Sequence, residues 1–182
     1  MHILPSGRLP RSVVPKRYDL TLAVEPKQGK FSGAVSIDLE IHEATPTIIL
    51  HAVDLQITQA LFEGVGLGRS AEISLLPESE VAVFTFPQEL PAGPGLLKIE
   101  FDGRLNKQMK GLYEAKTDGE RYAFTQFEAT DARRAFPCFD EPGFKASFRI
   151  TTEFPEELMA LSNMECESEE RDRVRRHKRV TF

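Results

Sequence analysis

Residues 18–24 read Tyr-Asp-Leu-Thr-Leu-Ala-Val, and residues 35–41 read Val-Ser-Ile-Asp-Leu-Glu-Ile. In each stretch large apolar residues alternate with polar or small ones. Successive side chains of a strand point to opposite faces, so a period of two marks a strand with one dry and one wet face. The same rhythm recurs outward in both directions. It is present at Ile48, Leu50 and Ala52, at Leu55 and Ile57, at Ile73 and Leu75, and from Val81 to Phe86. It returns at Leu97, Ile99 and Phe101, at Phe148, Ile150, Thr152 and Phe154, and at Val180 and Phe182. Turn-forming clusters separate the segments: Glu25 to Gly29, Pro77-Glu78-Ser79, Pro91 to Gly95, and Asp118-Gly119. The expected fold is all-β and mainly antiparallel, a curved sheet or β-sandwich. Helix is confined to one or two short turns. One is expected near Thr130–Ala135, stopped by Pro137, and another near Glu156–Leu161.

A chain of 182 residues buries a core without disulfides or metals. The content of 41% hydrophobic and 28% charged residues is that of a globular protein and argues against disorder. No apolar run approaches the ~18 residues of a membrane span. Met1 to Arg17 contains four prolines or glycines and no apolar core, so no signal peptide is expected, and the compartment expected is the cytoplasm. A net charge of −5 is wrong for a general nucleic-acid binder. Residues 165–179 do carry six Lys and Arg, but five acids stand among them. A solvated hairpin with paired charges is expected there, not a phosphate-binding patch. Cys138 and Cys166 make neither a disulfide framework nor a C-x-x-C motif. The alternation still runs at Phe182, so the chain is expected to be a piece of something longer, cut at its C-terminal end.

Several chemistries have no signature. The histidines at 2, 42, 51 and 177 form no H-E-x-x-H, and there is no G-x-S-x-G or phosphate loop. Gly64, Gly66 and Gly68 lack the following helix that a dinucleotide site requires and are expected to form a flexible loop. His42 and His51 flank a turn but have no evident third ligand.

The informative stretch is 122–148, Tyr-Ala-Phe-Thr-Gln-Phe-Glu-Ala-Thr-Asp-Ala-Arg-Arg-Ala-Phe-Pro-Cys-Phe-Asp-Glu-Pro-Gly-Phe-Lys-Ala-Ser-Phe. If Tyr122–Glu128 is extended, Gln126 and Glu128 share a face opposite Phe127. A carboxylate beside an amide carbonyl suits a small cation rich in N–H donors, such as a free α-amino group. The plainer alternative pairs Glu128 with Arg133 or Arg134, and the residues alone favour it. Asp131, Arg133, Arg134, Asp140 and Glu141 lie among phenylalanines, where charge must be paired. An ion-pair network is expected. A general acid–base pair of Asp140 with Glu141, or of Asp131 with Glu128, is the catalytic alternative. Cys138, between Pro137 and Phe139, is expected to be a buried structural thiol.

Thr125-Gln126-Phe127-Glu128, Thr130 to Pro142, and Phe144 to Phe148 together closely resemble the N-terminal domain of zinc aminopeptidases of the aminopeptidase N type, a gluzincin family. Leu9-Pro10, Val14 to Leu20, Phe31-Ser32-Gly33 and Gly111-Leu112-Tyr113 extend the resemblance over essentially the whole chain. The resemblance implies a saddle-shaped β domain, residues 1–182, packed against a catalytic domain absent from this chain. It implies that Glu128 binds the free N-terminus of a peptide and that Gln126 lines the first side-chain subsite. It implies that zinc is held by the missing domain and that this piece, with no catalytic or metal-ligating residue of its own, is inactive alone. The partners expected are peptide substrates and the chain's own catalytic domain, with no nucleic acid and no membrane segment. Two other readings compete: a non-catalytic β-sandwich module for peptide or carbohydrate, and a stand-alone hydrolase built on a carboxylate pair.

Overall fold

A computed structural model describes residues 7–64 and 67–182. His2 and Gly66 lie outside the described residues. The strands run β1 Val13–Glu25, β2 Lys30–Ile41, β3 Thr45–His51, β4 Leu55–Gly64, β5 Leu67–Ser70, β6 Glu72–Leu76, β7 Val81–Leu90, β8 Gly93–Arg104, β9 Gly111–Thr117, β10 Glu120–Gln126, β11 Ser147–Pro155, β12 Ser168–Asp172 and β13 His177–Thr181. An eight-stranded sheet has the order β12-β13-β11-β1-β2-β8-β4-β5, a three-stranded sheet the order β3-β7-β6, and β9 and β10 form a hairpin. The fold is all-β, and every strand pair is antiparallel except β1 with β11.

The alternation that announces the strands also builds the core. Tyr18, Leu20, Leu22 and Val24 of β1 and Val35, Ile37, Leu39 and Ile41 of β2 are all buried. They share one continuous core with Ile48, Leu50, Val81, Val83, Phe84 and Phe86 of the smaller sheet. Phe62 of β4 meets Phe86 of β7 edge-on, with ring centroids 5.8 Å apart.

Among the described residues helix is limited to three short 3-10 turns, Pro26–Gln28, Pro77–Ser79 and Ala132–Arg134. The short turn expected near Thr130–Ala135 is the last of these, although Asp131 makes no side-chain cap. Residues 156–161 form a turn and irregular chain, not a helix. Gly64 and Gly68 fall in the paired β4–β5 hairpin, where Glu63 faces Gly68, so they are not a flexible loop. The charged segment is the hairpin β12–β13. Its ion pairs run mostly off the hairpin, Arg179 to Glu153, Arg176 to Glu156 and Glu167 to Arg149.

Candidate functional site

β9 and β10 meet at Asp118-Gly119, both with positive φ (51° and 82°). That is the geometry a two-residue hairpin demands and Asp-Gly supplies. The register sets Tyr113 opposite Phe124 and Gly111 opposite Gln126. The strand ends at Gln126, so Glu128 sits in the turn that follows, not on the strand. Strand alternation therefore does not place Glu128. The half-buried Phe127 does. Its ring packs edge-on to Phe136, 6.0 Å between centroids, and Phe136 in turn meets Tyr18 and Phe148. The Phe127 carbonyl accepts the Asp131 N–H at 2.9 Å. With Phe127 turned inward, Gln126 and Glu128 on either side of it are both exposed. The Glu128–Ala129 peptide is cis.

The arginines beside Glu128 are engaged elsewhere. Arg133, with a side chain only 9% exposed, donates from Nε to Asp140 at 2.8 Å and from Nη1 to Glu80 at 2.8 Å. Arg134 bonds Asp131 from Nε at 2.9 Å and Asp54 from Nη1. Among the described residues the Glu128 carboxylate has no hydrogen bond or ion pair, so the pairing of Glu128 with Arg133 or Arg134 is not what the structure contains. The carboxylate-pair readings fail too. Asp131 is held by Arg134, Asp140 by Arg133, and Glu141 accepts the Leu9 N–H at 2.7 Å and faces Arg8. Asp140 and Glu141 thus turn to different partners, as adjacent residues on irregular chain tend to.

Cys138 is buried, and burial pushes its thiol well above the usual value, which makes it a structural residue and not a nucleophile. His51 is buried as well. Its Nδ1 accepts the Asp140 N–H at 3.3 Å, which takes the ring lone pair that a metal would need. Burial, reinforced by the Arg133 guanidinium, lowers its pKa to about 4, so the ring is neutral at pH 7. His42 is exposed. Among the described residues no group of three His, Cys, Asp or Glu could hold a metal ion. The donors among the described residues therefore do not fit a zinc centre.

The partners Glu80 and Asp54 were not foreseen in the sequence, although each is a non-glycine residue at positive φ (55° and 57°) at a strand boundary. Gly111 was foreseen only as part of a resemblance.

The profile of the peptidase M1 N-terminal domain matches residues 14–182. The chain belongs to that family. It is 45% identical to aminopeptidase M1-D of Oryza sativa subsp. japonica over 162 residues, 87% of this chain and 18% of the relative. It is 45% identical to aminopeptidase M1 of Arabidopsis thaliana over 166 residues, 86% and 19% respectively. To the mitochondrial aminopeptidase 2 of Saccharomyces cerevisiae it is 44% identical over 171 residues, 88% and 18%. The chain thus spans under a fifth of the length of the curated relatives it matches. Among the described residues of this M1 N-terminal domain, no helix is long and apolar enough to cross a membrane.

Proposed function

We propose that this chain is the substrate-gripping domain of a zinc-dependent aminopeptidase that removes N-terminal residues from peptides. Residues 1–182 form its N-terminal β domain, and a catalytic domain outside this chain packs against it and supplies the zinc. Glu128 binds the free α-amino group of the peptide, and Gln126 lines the pocket for the first side chain. The protein acts on peptides, not nucleic acid, and works in the cytoplasm.

The observation that carries this reading is the Glu128 carboxylate. It is exposed and unpartnered among the described residues, although two arginines lie within six residues of it. An acid left free beside such partners is available to a cation from outside. An exopeptidase must measure one residue from a chain end, and the mark of that end is an amine with a pKa of roughly 7.7–8.0. A carboxylate fixed at the rim of a closed cleft binds the ammonium form and sets the distance from it to the first peptide bond. The acid here adds no chemistry to bond cleavage. Its contribution is orientation.

The test uses the complete enzyme that carries this domain and an aminoacyl-arylamide substrate. Glu128→Ala is expected to lower kcat/KM by the equivalent of about 2–5 kcal/mol, the loss typical of a desolvated charge pair cut on one side. Gln126→Ala acts more mildly and chiefly alters preference among first residues. Unchanged kcat/KM in Glu128→Ala would remove the assignment.

A further inference from the structure

Gly111 occupies an unusual place. It opens β9, has φ +65°, and lies directly opposite Gln126 in the hairpin register. On its other side is the turn that leads from Glu128. A Cβ added at 111 would stand 2.6 Å from the Cβ of Arg134 and 3.1 Å from the carbonyl oxygen of Asp131. Neither neighbour is the free end of a flexible chain. Asp131 is tied to Phe127 by its N–H (2.9 Å), Arg134 donates its N–H to the Asp131 carbonyl (3.1 Å), and the Arg134 guanidinium bonds the Asp131 carboxylate (2.9 Å). The hairpin and the turn thus meet backbone to backbone at one point, and only a residue without a side chain fits between them.

We infer that Gly111, braced by Asp131 and Arg134, is a positioning residue that sets where Glu128 stands relative to Gln126. Gln126 rides on the hairpin side of this contact and Glu128 on the turn side. Any side chain at 111 must push the two apart, and the carboxylate then moves with respect to the amide two residues before it. Gly111 touches no substrate and acts entirely through these two groups. The inference rests on the amine-gripping role proposed for Glu128, and the experiment separates the two.

In the complete enzyme, kcat/KM on an aminoacyl-arylamide is measured for Gly111→Ala, Glu128→Gln, the double variant, and Gly119→Ala. Gly119 is a control because its φ of +82° also strains any side chain while a Cβ there would meet nothing within 4 Å. Gly111→Ala is expected to lower kcat/KM at least tenfold and to change the ranking of first residues, with Gly119→Ala close to the native enzyme. In the Glu128→Gln background the same substitution at 111 should cost less than threefold, because the group it displaces is already disabled. If Glu128→Gln alone has no effect, the amine-gripping role falls and this inference with it. If Glu128→Gln is severe but Gly111→Ala matches Gly119→Ala, or if the losses at 111 and 128 simply multiply, the positioning role alone is overturned. Should Gly111→Ala fail to fold, Asp131→Asn loosens the brace from the opposite side. The same non-multiplicative pattern with Glu128→Gln is expected, and independent losses overturn the inference.

Discussion

At the scale of single residues, the chain spends its charge in two ways. Arg133 is buried and bonds Asp140 and Glu80 at 2.8 Å each, whereas Glu128 a few positions earlier is left to solvent. Buried charge survives only with partners, so the first arrangement is structural. His51 stands beside it and gives this region a pH signature. Its folded-state pKa, about 4, lies below the ordinary value of 6.5. The folded state therefore excludes a proton that the unfolded chain takes up. The contribution is fully present above pH 6.5 and is lost as pH falls toward 4, to a limit on the order of 3 kcal/mol. Urea unfolding of native protein and His51→Asn across that interval is the check. The variant keeps an acceptor for the Asp140 N–H, cannot be protonated, and should show the shallower fall in stability. The partners at this scale were the least legible part of the sequence. Asp140 is seven positions from Arg133 and was within view, but Glu80 and Asp54 lie 53 and 80 positions from their arginines. Only the fold brings them together.

At the scale of elements, β2 and β8 show why the strands were readable and their fit was not. Period-two alternation marks each strand because the core contacts only one face. The register between strands leaves no such mark. In this pair Phe31 faces Gly103 and Gly33 faces Phe101, so each ring lies over the glycine of the other strand. Phe62 likewise covers Gly95. These glycines are cavities already filled by a neighbour's ring. Gly33→Ala would drive a methyl group into the Phe101 ring, itself buried and without room to retreat. A loss of about 1–3 kcal/mol is expected in chemical denaturation, the range for overpacked cores. Gly119→Ala at the open hairpin tip should cost less. Of the two short helical turns expected, the one near Thr130–Ala135 is present as a 3-10 turn, and residues 156–161 form a turn and irregular chain instead. Arg133 bonds Asp140 and Glu80 and Arg134 bonds Asp131 and Asp54, and these bonds to near and distant acids hold the segment in a tight turn.

At the scale of the whole molecule, the eight-stranded sheet is joined by contacts between sequence-distant segments. β1 is flanked by β2 on one side and by β11 on the other, the latter in parallel register from Arg17 against Ser147 to Ala23 against Glu153. Tyr18 reinforces the seam. Its ring stacks on Phe148 at 4.6 Å, and its hydroxyl accepts the Phe139 N–H at 3.1 Å. A chain ending before Ser147 lacks β11, β12 and β13 and leaves β1 as a bare edge. Such a chain is expected to lose cooperative unfolding in urea and to associate through that edge, which light scattering and sedimentation would detect. The all-β class and most strand positions were legible in the sequence, but β5 fell where a flexible loop was expected and Glu128 lies in a turn beyond the strand expected to carry it. The parallel seam was not legible, because parallel partners need a long connection and nothing in either strand names the other.

That seam has a consequence for synthesis. On the ribosome β1 is made well before its parallel neighbour, which begins at Ser147. Through the intervening translation the edge of β1 from Arg17 to Ala23 has no strand beside it to pair with. Closure of the sheet along that edge of β1 waits for Ser147–Pro155 to be made, however early the hairpins form.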